Sequence, residues 1–213
     1  MLARIVLAAH NDLMLVGAHT VLNRCPQVEV TDAVQDVTAL LDRLVFDKPN
    51  VILFSERLDP SSDPVALVER IQSTSYDAHL IVVGATRDGL LIRDLFSVGI
   101  KAYLYESDEL QHCLIPAVKT VMANRPYLSP TANAEYLIAM QSGERDWKLD
   151  AEARSVLRLL AQGCTVGSIA VQLKINPRRV YWVREKLRRR FGATTNEHLI
   201  NRAAAEGFSG FAD

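Results

Sequence analysis

Residues 50–60 read NVILFSERLDP, and the fold turns on that stretch. Val51 to Phe54 are four apolar residues in a row, ending on Ser55 and the polar pair Glu56-Arg57. A short unbroken apolar run bounded by turn residues suits a strand buried on both faces, the kind found in parallel sheets. In an open α/β sheet the groups that meet ligands sit just beyond the carboxyl ends of the strands. Ser55 holds that place and offers only a hydroxyl.

Outward from this strand the pattern recurs about every twenty residues. ARIVLAA (3–9), QVEVTDA (27–33), HLIVVGA (79–85) and KAYLY (101–105) are further strands, and amphipathic stretches such as 33–45 and 63–74 lie between them. Five such units predict a doubly wound, flavodoxin-like (βα)5 domain over 1–123, closing with a helix near Asp108–Ala123. Asp12 belongs at the cap or in the first turn of the first helix, and His10 on the surface or in packing.

A chain of 213 residues exceeds one average domain, so two are expected. No apolar run approaches the roughly 18–20 residues of a membrane span. MLARIVLAAHND at the N-terminus reads as a first strand, not a signal peptide. Cys25, Cys113 and Cys164 lack metal-ligand or CxxC spacing and suit a reducing cytoplasm, and the five histidines are scattered. Neither a metal nor another cofactor is expected. No paired acids or nucleophile-base pair converge, and no Gly-rich phosphate cradle is present, so an enzyme and a nucleotide-binding protein are disfavoured.

The net charge of −1 hides an asymmetry. Residues 1–147 carry 12 Lys and Arg against 19 Asp and Glu, a net of −7; residues 148–213 carry 12 against 6, a net of +6. A basic module behind an acidic body points to a polyanionic partner for the C-terminal part alone. Between them, NRPYLSPTANAEYLIAMQSGERDW (124–147) has two prolines and a polar end, and reads as a linker with a short helix in TANAEYLIAM.

From Leu149 the apolar period becomes helical. AEARSVLRLLAQG places Val156, Leu157 and Leu160 on one face and stops at Gly163. Thr165 is suited to cap a second helix, VGSIAVQL, and Asn176-Pro177 to open a third, PRRVYWVREKLRRRF. A fourth, NEHLINRAAAEG, closes a four-helix domain over 148–213. At about 100° per residue the third helix gathers Val180, Val183, Leu187 and Phe191 into one stripe. Arg178, Trp182, Glu185 and Arg189 fall opposite, flanked by Tyr181 and Lys186. Such a helix fits a major groove with its N-terminal residues at the base edges. Arg178 suits guanine O6 and N7, Glu185 suits cytosine N4, and Tyr181 and Trp182 suit thymine methyls or the sugar backbone. Arg179, Arg184, Lys186, Arg188, Arg189 and Arg190 suit phosphates, which set affinity and orientation but not sequence.

The spacing of Gly163, Ile169-Ala170, Leu173, Ile175, Val180, Leu187 and Gly192 resembles the LuxR-type DNA-binding domain of the NarL/FixJ regulators across roughly sixty residues. The family's opening Thr and Arg-Glu appear here as Asp150 and Glu152-Ala153, and the Glu before Ile169 as Ser168. Tyr181, Trp182 and Glu185 stand where the family usually has Lys, Val and Lys. Upstream, KPNVILFSERLDP, VGIKAYLYESDELQHCLIPAV and NRPYLSP resemble the receiver domain of two-component response regulators and its junction in this same group. The resemblance implies a lost phosphorylation site. The acidic pair that holds Mg²⁺ in receivers corresponds to Ala8 and Ala9, the phosphoacceptor aspartate to Ser55, the Thr or Ser after strand four to Gly84, and the lysine after strand five to Glu106. Tyr103 stands at the aromatic switch position, with its partner hydroxyl gone at Gly84. Glu56 as a permanent phosphate mimic needs a one-residue slip, which alternation along a strand opposes. Ser55 as the target of a separate kinase is a further reading; the favoured one is a tolerated small residue.

The expected protein is a cytoplasmic homodimer that binds specific double-stranded DNA, regulates transcription without phosphorylation, and has no membrane partner. Thr165 and α-helical positions Arg178, Arg179, Tyr181, Trp182, Arg184, Glu185, Lys186, Arg188 and Arg189 are the expected DNA-facing set. Two alternatives stay open. In one, a small ligand or partner protein occupies the receiver-like pocket and gates the regulator; in the other, the chain antagonises a second regulator and never binds DNA.

Overall fold

The computed structural model describes residues 2–59, 62–74, 77–141, 149, 151–205 and 208. Two compact units divide the chain, the first formed by Met1–Ala85 and Gly89–Gln141 and the second by Thr86–Asp88 and Ser142–Asp213. No helix among the described residues is long and apolar enough to cross a membrane.

The first unit alternates β1 (Ala3–Ala8), α1 (Asp12–Leu22), β2 (Val28–Val34), α2 (Val37–Phe46), β3 (Val51–Ser55), α3 (Pro64–Thr74), β4 (His79–Gly84), α4 (Gly89–Ser97), β5 (Ala102–Tyr105) and α5 (Leu110–Met122). All pairings are parallel and the order is β2-β1-β3-β4-β5-β6, where β6 is Tyr127–Leu128. The apolar run of β3 is buried throughout, Val51 to Phe54 exposing 1% or less. Alternation splits it between two cores. Leu53 joins α1 and α5 on one face, and Ile52 and Phe54 join α2, α3 and α4 on the other. Asn11 caps α1 by accepting from Leu13 N, with Asp12 in the first turn and His10 exposed.

The helix expected within the linker is present as α6 (Pro130–Gln141), and it packs on α4 inside the first unit. Its Ala132 is buried in the α2–α4 core, and Tyr136 meets Phe96 edge-on at 6.4 Å. The segment before it adds the sixth strand to the sheet. Buried Ser129 Oγ accepts from Tyr105 N, and Asp108 accepts from both the backbone and the hydroxyl of Thr131. Residues 142–148 and Asp150, with the boundary expected at 147–148, lie outside the described residues.

His79 opens β4 beside Lys101, and burial first, then the lysine charge, holds its imidazole below the ordinary 6.5. The unfolded chain therefore takes up this proton more readily, and stability drains away as pH falls below about 6.5. Denaturant melts between pH 7.5 and 5.5 should show that slope, and His79→Gln should flatten it.

The second unit holds α7 (Ala151–Ala161), α8 (Val166–Leu173), α9 (Pro177–Phe191) and α10 (Asn196–Ala205). These four helices close over one apolar core that includes Leu149, Leu157, Ile169, Leu199 and Phe208.

Candidate nucleic-acid interface and the pocket at the sheet edge

The geometry of α8 and α9 is set by caps the sequence carries. Thr165 Oγ1 accepts from Ser168 N at 3.2 Å to start α8. Lys174 ends it in the left-handed region (φ 53°), with its N–H turned back to Ala170 and Val171 carbonyls. Asn176 Oδ1 then accepts from Arg178 N at 2.8 Å, and Pro177 occupies the first turn, where its missing N–H costs nothing. Gly163 and Gly192 both take positive φ at helix ends, as C-terminal caps require.

Between those caps α9 is two-faced. Val180, Val183, Leu187 and Phe191 expose 1% or less, and Phe191 meets Phe208 edge-on at 5.5 Å. Arg178, Arg179, Tyr181, Trp182, Glu185, Lys186 and Arg189 are exposed. Tyr181 and Trp182 each keep about half their surface open. All six positions of the face derived from helical periodicity are exposed, and Arg179, outside that face, is exposed as well.

The side chains on that face are not equally free. Arg179 makes a forked pair with Glu152, at 2.7 to 3.0 Å, and lies 4.6 Å above the Trp182 ring. Lys186 Nζ approaches the same ring at 5.6 Å, and Arg184 stacks over Tyr181 at 4.8 Å. Glu185 is held by Arg188 at 3.1 Å and Arg184 at 3.7 Å, and Arg188 also donates to Asn196. The side chains of Arg184 and Arg188 keep only 17% and 21% exposure. Arg178 and Arg189 have no acidic partner among the described residues. Intramolecular pairing thus sorts residues that look alike in sequence: Arg178 and Arg189 are unengaged cations, whereas Arg179, Arg184 and Arg188 also hold α9 in place. Glu197 borders this surface, and hydrogen bonds from its own backbone N–H and from Thr195 hold its carboxyl below the usual range.

At the carboxyl edge of the sheet, Ala8 and Ala9 are buried methyl groups, and Ser55 is half-buried with its Oγ accepting from Arg57 N at 3.2 Å. Ser55 and exposed Glu106 line one cavity of about 560 Å³ between α1 and α5. Glu106 is the one carboxylate on its lining, and Arg57 shares it. That donor set does not fit Mg²⁺, which takes carboxylate and other oxygen ligands in octahedral array.

Glu56 points away from this cavity, as strand alternation requires. It is only 6% exposed, and its carboxyl group is held at both oxygens: Oε1 accepts from Ala85 N and Oε2 from the Tyr103 hydroxyl, each at 2.8 Å. Tyr103 is fully buried. Position 84 offers Tyr103 no hydroxyl, and Glu56 supplies a different partner. Buried Gly84 makes the arrangement possible, because a Cβ there would collide with Tyr103 Oη and Glu56 Oε2. The signal available in sequence was the joint occurrence of Gly84 and Glu56 with Tyr103, which no local pattern links.

No family model matches the chain. It is 24% identical over 204 residues to the virulence factors putative positive transcription regulator BvgA of Bordetella pertussis, covering 91% of this chain and 97% of that protein. It is 31% identical over 115 residues to the transcriptional regulatory protein UhpA of Escherichia coli K12, covering 53% and 54%. Among solved structures it is similar to RcsB from Salmonella enterica serovar Typhimurium bound to promoter rprA in the presence of phosphomimetic BeF₃⁻. There the TM-score is 0.77 at 17% identity, over 96% of this chain and 99% of that one. BvgA and UhpA are transcription regulators and RcsB is a response regulator, and the fold of this chain is that of RcsB, a parallel α/β unit followed by a helical unit.

Proposed function

We propose that this chain, a relative of the NarL/FixJ-type response regulators, is a transcription regulator that binds specific duplex DNA as a homodimer and needs no phosphorylation. The observation that carries this reading is the division of α9 into a buried apolar stripe and an exposed basic face built on a capped helix-turn-helix. Arg178, on the first turn and unpaired among the described residues, reads guanine in bidentate fashion. Arg189, farther along the same face, neutralises a phosphate, and Lys186 adds positive charge beside it. Trp182 and Tyr181, braced by the cations stacked on them, make apolar contact with thymine methyls or sugars. Glu185, already shared by two arginines, positions Arg184 and Arg188 more than it reads cytosine.

A dimer follows from energetics, since one module contacts few base pairs and two half-sites multiply both affinity and specificity. RcsB is described as dimers bound to DNA, in keeping with this reading. Independence from phosphorylation is supported by the residues at the sheet edge: Ala8, Ala9 and Ser55 provide neither a carboxylate to hold a metal nor one to form an acyl phosphate. It is supported further by Tyr103, already inward and hydrogen-bonded without any phosphoryl group.

A salt titration of binding to random-sequence duplex tests the core of the proposal. Binding at low salt with a log–log slope of several counterions is the expected result. No binding at 50 mM salt would favour an antagonist that never touches DNA.

A further inference from the structure

The cavity between α1 and α5 is more than the remnant of a phosphorylation site. Its floor is Leu53 and Val83 from the sheet, and its walls are Met14 and Ala18 from α1 with Leu110 and Leu114 from α5. A volume of about 560 Å³ lies within the range of small-molecule sites, which are mostly apolar with a few polar groups at fixed points. Two such groups stand on the lining with opposite charge. The half-buried Arg57 and the exposed Glu106 are not paired with each other, and neither has an ion-pair partner among the described residues.

The wall also has a gap. Gly17 sits mid-helix in α1 and lines the cavity, and a Cβ there would meet no atom within 4 Å. Glycine inside a helix is unfavourable relative to alanine. No close approach of another chain segment demands it here. Its effect is to leave the cavity open on the α1 side.

We infer that this cavity binds a small zwitterion with a bulky apolar body, of which an α-amino acid with a large side chain is the simplest member. The apolar part fills the space over Leu53 and Val83, the carboxylate meets Arg57, and the ammonium meets Glu106. A simple organic acid would answer Arg57 but face Glu106 unpaired, and an amine would do the reverse. The site lies within the first unit, so its occupancy is read without DNA and its failure leaves the DNA-binding proposal standing.

Calorimetric titration and thermal shift of the full chain with L-tryptophan, indole-3-propionate and tryptamine test the inference. L-tryptophan is expected to bind and raise Tm by mass action, with the two singly charged analogues at least tenfold weaker. Gly17→Leu, checked for folding by circular dichroism, is expected to fill the gap and abolish binding. Arg57→Met is expected to weaken tryptophan about tenfold and to bring it level with tryptamine. The inference is overturned if L-tryptophan, L-phenylalanine and L-leucine all fail to bind, or if the three indole probes bind alike. It is equally overturned if a folded Gly17→Leu binds as the parent does. Should Gly17→Leu not fold, an unchanged Kd in Arg57→Met is the contradicting result.

Discussion

Replacing Arg178 and Arg189 together by alanine is expected to weaken binding to a cognate duplex by about 100-fold, measured by anisotropy at fixed salt. A bidentate base contact contributes roughly 1–3 kcal/mol of discrimination. A lost phosphate contact lowers affinity across all sequences and reduces the salt slope by about 1. The two substitutions should separate on that criterion, Arg178→Ala relaxing sequence preference and Arg189→Ala flattening the salt dependence. Neither should alter folding, because neither side chain is paired among the described residues and exposed substitutions usually stay within about 0.5 kcal/mol. Arg184 and Arg188 should behave differently. They are mostly covered and share Glu185, so their removal should lower Tm as well as affinity. An unchanged Kd in the Arg178, Arg189 double variant would remove α9 from the interface.

The second large effect lies in the first unit. Glu56→Ala strips an acceptor from the buried Tyr103 hydroxyl and from the partly buried Ala85 N, and leaves a space where the carboxyl group lay. Loss of an acceptor at a buried donor costs about 1–3 kcal/mol, so a loss of roughly 1–4 kcal/mol in the unfolding free energy is expected, most of it from Tyr103. Gly84→Ala attacks the same cluster from the other side, forcing Tyr103 and Glu56 to move, at about 1–3 kcal/mol for overpacking. The double variant should cost less than the sum, because the added methyl enters space that the Glu56 side chain has vacated. Additivity in that cycle would mean the two residues do not share one site. The functional counterpart is Tyr103, which this cluster holds buried at rest.

Much of this was legible in the sequence because it rests on local rules. The strands of the first unit follow from apolar runs, and the caps at Thr165 and Asn176 from residue type and spacing. The two faces of α9 follow from period alone. What escaped has a common cause. Strand β6 is two residues long and gains its place only by pairing with β5, and α6 carries no strong apolar stripe, so their membership of the first unit depends on contacts distant in sequence. Glu56 follows the end of β3, Gly84 ends β4 and Tyr103 lies in β5, and the three meet only because those strands are neighbours. The Arg179–Glu152 pair spans two helices and turns a nominal phosphate contact into a brace as well. Periodicity shows where a side chain points; which partner it finds there is a matter of tertiary contact.

On the proposed function, the arginine face of α9 holds duplex DNA while the sheet unit accepts no phosphoryl group. The direct measurement is an isotherm on a selected genomic fragment, taken with the full chain before and after incubation with acetyl phosphate and Mg²⁺. Superimposable isotherms, with no gain of mass on the protein, are the expected result. Binding tightened tenfold alongside a Mg²⁺-dependent phosphoprotein would contradict it.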